Sequence, residues 1–272
     1  MVSAMEKGRK CNMIAEAIND RLSNIEGKFG VNYIDLTTGQ EILCGNCTVF
    51  PASGGVMLMA LVECFRAIEA GRLDENMTSR FNRADYPDAG TYSFGVLKYL
   101  HDGIEITISD LCNLMITVSD NIAFNMLLDF LKIENINETF QSLGYQHMRV
   151  NRKIYDFEQM KKGVQNYISV REMAAIFQKM YKGQLISEEA SRRMIQLMIQ
   201  HQRGTIIPHV LDEDMEVAHQ TGFDDDMILD GGIVFAEKPF VLVMAAADTN
   251  IRKAESIMRD ITSICYRAAT SV

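Results

Sequence analysis

Two kinds of hydrophobic periodicity divide this chain of 272 residues, and their order constrains the fold more than any other feature. From Ser53 to about Thr205 the apolar patterns are helical, in stretches 56–70, 107–116, 121–132, 169–182 and 187–201 joined by polar loops. Strand-type runs occur only outside that centre. Val31 to Leu36 and Glu41 to Leu43 flank Thr37-Thr38-Gly39-Gln40, which reads as strand, tight turn and strand. After Pro208 the strand pattern returns at Glu216 to His219, Ile228 to Ala236 and Phe240 to Ala247. Helical patterns close the two ends, at residues 11–27 (Met13, Ile14, Ala17, Ile18, Leu22 and Ile25 on the apolar face) and at about 250–268. Strands from both termini predict one antiparallel sheet covered by the terminal helices, with an inserted all-helical lobe. The fold class is therefore α/β (α+β). The expected organisation is a single domain over residues 1–272, with an α/β lobe of 1–52 and 206–272 and a helical lobe of 53–205. The chain crosses between these lobes near Ser53 and near Gln220 to Phe223, and lobe junctions commonly hold concave sites.

Charge narrows the partners. With 36 acidic and 27 basic residues the chain carries a formal charge of −9, which opposes phosphate backbones and anionic lipid surfaces, so no nucleic-acid partner is expected. No apolar run approaches the roughly 20 residues that span a bilayer. The start, Met-Val-Ser-Ala-Met-Glu-Lys-Gly-Arg-Lys, lacks a signal peptide's apolar segment, so the chain as written is expected in the cytoplasm, or secreted with its leader removed.

Six cysteines are too sparse for a disulfide scaffold and read as buried thiols of a reducing compartment. Cys44-Gly45-Asn46-Cys47 has metal-type spacing but no second pair or nearby histidine, and Gly-Asn reads as a turn. The five histidines, His101, His147, His201, His209 and His219, show no metal-ligand spacing. Neither a metal nor a cofactor is expected. Of 18 methionines, Met57, Met59, Met126, Met173, Met194 and Met198 fall in apolar helical patterns and read as core filling.

Three short stretches stand out in order: Phe50-Pro51-Ala52-Ser53-Gly54-Gly55-Val56, Thr117-Val118-Ser119-Asp120-Asn121 and Ala218-His219-Gln220-Thr221-Gly222. Singly, each has a structural explanation: Ser53, Ser119 or Asp120 as helix caps, and Thr-Gly as turn material. Together, their order and spacing resemble the signature set Ser-x-x-Lys, Ser-Asp-Asn and Lys-Thr-Gly of the class A serine β-lactamase and penicillin-binding-protein family. Phe50 to Leu73, Gly95-Val96-Leu97, Leu114 to Leu128 and Asp230 to Val234 also look like stretches of that family, so the resemblance covers most of the chain.

The resemblance implies an α/β lobe from both termini with an inserted helical lobe, in agreement with the periodicity. It also implies a small-molecule partner, a β-lactam or an acyl-amide or peptide-like ligand, bound without a cofactor. Carried over residue by residue, it makes Ser53 the nucleophile and Ser119 its catalytic partner. Asn121, Gln220, Thr221, Gly222 and Phe223 become substrate contacts, and the backbone N–H groups of Ser53 and Phe223 oxyanion donors. In this family a lysine one helical turn after the serine helps to supply the base, and the third-motif lysine favours the substrate carboxylate and helps to shuttle protons. This chain has Val56 and Gln220 at those positions.

Loss of base activation alone removes roughly 10² to 10⁴-fold of rate, so impaired or absent β-lactamase turnover is expected. Removal of two cations, with Asp224, Asp225 and Asp226 just beyond the third motif, favours a neutral or cationic ligand, unless that run is simply a solvated loop. The segment Val150 to Glu158 lacks the Glu pattern that serves deacylation in the family; Asp156 and Glu158 read as loop carboxylates or as stand-ins. Tyr155, Glu158, Lys153 and His219 are the substitute base candidates. Gly54-Gly55 either widens a pocket, lets a ligand approach the backbone, or reflects drift after loss of catalysis. Two other functions stay open: an active acyl or amide hydrolase in which Ser53 works with a different base, and a non-enzymatic partner-binding protein.

Overall fold

The computed structural model describes residues 4–23, 25–86 and 94–270. One five-stranded antiparallel sheet, in the order β2-β1-β9-β8-β7, joins the two ends of the chain: β1 is Lys28–Asp35, β2 Glu41–Gly45, β7 Val217–Phe223, β8 Met227–Val234 and β9 Phe240–Ala247. The period-2 alternation of β9 decides what lies on each face. Phe240, Leu242, Met244 and Ala246 pack with Ile14 and Ile18 of α1 (Ala4–Leu22) and with Met258, Ile261 and Cys265 of α9 (Ile251–Thr270). Val241, Val243, Ala245 and Ala247 face the larger cluster built from the central helices. Because β9 is buried on both faces, it reads as a continuous apolar run without visible alternation, and β8, equally buried, interrupts its apolar residues with Asp230-Gly231-Gly232.

The central helices are α2 (Val56–Glu69), α3 (Ile108–Thr117), α4 (Asn121–Leu131), α5 (Ile133–Ser142), α6 (Phe157–Lys161), α7 (Val170–Tyr181) and α8 (Glu188–Ile199). Residues 56 to 65 of α2 are all buried, so this helix is the core of the helical part rather than an amphipathic surface element. All six methionines expected in the core are buried.

The centre is not wholly helical. Three short strands punctuate it: β4 (Thr78–Arg80) pairs with β5 (Glu105–Thr107), and β6 (Tyr167–Ser169) pairs with β3 (Val49–Pro51), which lies just before Ser53. Strands of three residues are too short to show a period. The first helix starts earlier and stops sooner than its apolar pattern suggests, and Met13 is 64% exposed rather than on the buried face. The Cys-x-x-Cys thiols part company, Cys44 joining the cluster beneath α1 and α9 and Cys47 the one on the opposite face. Among the described residues no helix is long and apolar enough to cross a membrane.

Candidate active site

Strand β3 delivers the chain into a single 3₁₀ turn, Ser53–Gly55, which runs directly into α2. Ser53 thus sits at the N-terminal approach of a buried helix, where N–H groups point outward and the helix dipole favours negative charge. Its φ of 42° lies in the left-handed region, which costs a non-glycine residue of order 1–3 kcal/mol. Among the described residues six non-glycines share that region, and three of them, Ser53, Ser119 and Tyr155, are candidate site residues. The turn is held from behind, since the Ala52 N–H donates to the Asn166 carbonyl at 2.9 Å and Gly55 N–H to Ala52 O at 2.7 Å.

The turn presses against the outer edge of β7. A Cβ on Gly54 would lie 2.5 Å from the Thr221 carbonyl oxygen, and one on Gly55 would lie 2.8 Å from Leu229 Cδ2 and 3.0 Å from Ile168 Cγ2. Gly54 therefore serves the close approach of two backbones, and Gly55 the close packing of the Leu229 and Ile168 side chains, rather than a wider pocket. On the other side of the contact, a Cβ on Gly222 would fall 3.3 Å from Ser53 Cβ. Since alternate strand residues share a face, Gln220 projects to the same side as that Gly222 vector, and its Nε2 meets Met57 Sδ at 3.8 Å. The Thr221 carbonyl points at the turn; by the alternation of backbone groups the Phe223 N–H points to the same edge.

The two family lysine positions are both apolar or uncharged and both closed to solvent. Val56 is fully buried in the larger core cluster, and Gln220 is fully buried with its Nε2 donating to Thr221 O at 3.2 Å and its Oε1 unpaired. Ser119, at φ 52°, lies in the loop between α3 and α4, and its Oγ is likewise buried and unpaired. Asp120 next to it is structural: Oδ1 caps α4 by accepting from Ile122 and Ala123 N–H at 3.0 Å each, and Oδ2 accepts from Val96 and Leu97 N–H at 2.7 and 2.8 Å. Asn121, buried at the start of α4, shares a side-chain hydrogen bond with the Tyr155 hydroxyl.

Three of the four base candidates, Tyr155, Lys153 and Glu158, line one groove, and His219 is not among its lining residues. Tyr155 reaches Asn121, but burial first and then the Asp224 carboxylate raise its pKa, which works against a phenolate. Lys153 shares with Tyr155 and Glu158 a groove of about 840 Å³ lined also by Tyr86, Asn125 and Met160, and there its Nζ pairs with Asp129 at 2.5 Å and lies over the Tyr86 ring. Glu158 is exposed in the first turn of α6, whose N-terminus Asp156 caps through Gln159 N–H. His219 is buried with Nδ1 2.8 Å from Asp230 Oδ1, and by strand alternation it projects to the face opposite Gln220. Asp224 to Asp226 form the exposed turn between β7 and β8.

Three further residues complete the surroundings of the third motif, and nothing in their spacing announces them. Asp230 pairs with Thr221 across the β7–β8 ladder and accepts from Ile207 N–H at 2.9 Å. His201, just after α8, bridges the end of α3 and the third motif: Nδ1 sits 2.5 Å from the Ile116 carbonyl and Nε2 3.3 Å from Thr221 Oγ1. Burial first, then His219, push its pKa down to about 4. The Arg203 guanidinium lies between the rings of Phe94 and Phe223, 5.0 and 4.8 Å from their centroids, while its carbonyl accepts from Thr221 Oγ1 at 3.2 Å.

A serine turn at the head of a buried helix, seated on the edge strand of an antiparallel sheet, defines a β-lactamase-like serine hydrolase architecture. The sequence profile of the Beta-lactamase enzyme family matches residues 13–269, and the chain belongs to that family. Among curated relatives, the β-lactamases CARB-3 and PSE-4 of Pseudomonas aeruginosa are each 23% identical over 202 residues, covering 73% of this chain and 68% of theirs. Among solved structures, PBP-A superposes with a TM-score of 0.83 at 24% identity, covering 94% of this chain and 95% of that one. A β-lactamase from Chitinophaga pinensis reaches 0.86 at 17% identity, covering 95% and 100%.

Proposed function

We propose that this chain is a class A-like serine hydrolase homologue whose Ser53 pocket binds a β-lactam, acyl-amide or peptide-like ligand, and whose turnover is impaired because both motif lysines are absent. On this reading residues 1–52 and 206–272 act as the α/β lobe and 53–205 as the helical lobe, with the site where they meet. Ser53 is the nucleophile and Ser119 its partner, the Ser53 and Phe223 N–H groups face the oxyanion, and Asn121, Gln220, Thr221 and Gly222 contact the ligand.

The observation that carries the impairment is that the two lysine positions are filled by the buried side chains of Val56 and Gln220, which offer no amine. Neither side chain accepts a proton, and the nearby tyrosine is biased toward its neutral form by burial and Asp224. The retained backbone geometry supports attack in principle: a variant of PBP-A, a structure of the same fold, was captured as an acyl-enzyme complex with penicillin G.

Intact mass after incubation with a β-lactam panel, with Ser53→Ala as control, tests the reading. A Ser53-dependent adduct or unchanged β-lactam is the expected result. Hydrolysis at ordinary enzyme rates would overturn the impairment and favour an active hydrolase with another base.

A further inference from the structure

We infer that Arg203 is the anion-recognising residue of the site: the edge of its guanidinium takes a carboxylate of the ligand held at Ser53, a part that the missing third-motif lysine cannot play. This deepens the proposed function and rests on its reading of the Ser53 pocket.

Three tethers place Arg203, and all of them lead to the motifs. Its carbonyl accepts from Thr221 Oγ1 at 3.2 Å, and the Thr221 carbonyl is the group that abuts Gly54 of the serine turn. Its guanidinium carbon lies 4.8 Å from the centre of the Phe223 ring, at the end of the third-motif strand, and 5.0 Å from that of Phe94. The Phe94 carbonyl in turn accepts from the Asn121 N–H of the second motif at 3.2 Å. Phe94 and Phe223 are 48% and 40% exposed and Arg203 is half-buried, so the guanidinium stands at the surface, where a ligand can meet it.

The charge has no anion of its own. Aromatic rings engage a guanidinium through its faces, whereas its N–H bonds lie in the plane and match the two oxygens of a carboxylate. Among the described residues the Arg203 guanidinium makes no hydrogen bond and no ion pair. Burial lowers its pKa from the ordinary value while the Glu255 and Asp230 carboxylates raise it, and a guanidinium stays protonated at neutral pH throughout. Both of those carboxylates are engaged elsewhere, Glu255 with Arg259 at 2.7 Å, and Asp230 with His219 at 2.8 Å and the Ile207 N–H at 2.9 Å. Other cations of the surroundings are occupied: Arg152 donates to Val164 O, Lys153 O and Gln165 Oε1, and Lys153 pairs with Asp129. The Asp224 and Asp225 carboxylates act on the Tyr155 hydroxyl and not on Arg203, so the acidic turn leaves this cation unneutralised. A half-buried guanidinium held by two rings, with its in-plane donors unengaged, is already organised for a carboxylate.

The test uses N-acetyl-alanyl-alanine and its primary amide, matched in shape and different in charge, with calorimetry on the full chain at pH 7 and low salt. The carboxylate is expected to bind about tenfold tighter than the amide, by a margin that narrows as salt is added. Arg203→Met keeps an unbranched chain between the rings without the charge, and is expected to weaken the carboxylate about tenfold while leaving the amide unchanged. Arg203→Lys, which keeps the charge but not the planar fork, is expected to restore part of the difference. Should Arg203→Met not fold, Arg203→Gln takes its place with the same expectation. Equal or tighter binding of the amide to the unaltered chain overturns the inference, and so does a folded uncharged variant that keeps the carboxylate preference or loses both probes alike. Absence of binding by either probe overturns it too; the pocket reading is then judged separately, by whether Ser53 still gives a β-lactam adduct.

Discussion

Gly54 and Thr221 are locked together through backbone alone: a single Cβ on Gly54 would stand 2.5 Å from the Thr221 carbonyl oxygen, closer than real contacts allow. The first and third motifs are positioned by this contact between residues 167 positions apart in sequence. Gly54→Ala is expected to push the Ser53 turn off β7, costing about 2 kcal/mol as an overpacked site does. A chemical denaturation curve and the rate of Ser53 labelling by an acylating probe check it. Unchanged stability and labelling would show that the contact does not set the site.

Asp120 distributes four backbone hydrogen bonds from one buried carboxylate, two into α4 and two into Val96 and Leu97. Asp120→Ala leaves four N–H groups without that acceptor, three of them from buried hydrogen bonds, and is expected to destabilise the fold by roughly 3 kcal/mol or more, with Asp120→Asn milder because one acceptor oxygen survives. Urea midpoints of the two variants measure the difference. Equal midpoints would show that the cap is replaceable.

His201 gives the fold a dependence on acid. Its folded pKa of about 4 is below the unfolded value of 6.5, so between these limits the unfolded chain binds a proton that the native state refuses. Stability from this group is present above about 6.5, falls as pH drops toward 4, and amounts to roughly 3 kcal/mol in full. Melting temperatures from pH 7 to 4 are expected to fall, and His201→Gln is expected to flatten part of that slope. An identical slope in the variant would assign the acid sensitivity to other groups.

Restoring the lysines tests what the rest of the site can do. In the double variant Val56→Lys with Gln220→Lys, burial of the new amines favours their neutral, proton-accepting form. Partial acylation of Ser53 by a β-lactam is expected, and the adduct is expected to persist for want of a dedicated deacylating carboxylate. Asp156 is occupied in capping α6 and Glu158 is exposed. Time-resolved intact mass reads both steps; absence of any adduct in a folded double variant would show that more than the lysines is missing.

Much of this protein is legible in local pattern. The long central helices and the last three strands begin and end within a few residues of their periodic runs, because burial of one stripe or face is written at spacings of 3.6 or 2. The motif residues Ser53, Ser119, Asn121 and Thr221 are legible for another reason: their order carries the family pattern, with Ser53 and Asn121 at helix starts, Thr221 on a strand and Ser119 in the loop before α4. Elements without room for a period were not legible, among them the three-residue strands and α6; α5 was hidden by its direct succession to α4 through Lys132 at a φ of 64°.

The amino-acid sequence by itself determined the sheet built from both termini, the helical centre, the absence of the two motif lysines and the family. Tertiary structure alone decided that Gly54 and Gly55 admit a strand and a core contact, that His219 belongs to Asp230, that Lys153 belongs to Asp129, and that His201 and Arg203 stand beside Thr221. The physical reason is range. Periodicity records whether a position is buried, whereas the partner of a buried polar group is set by which distant segment the packed core brings within about 3 Å.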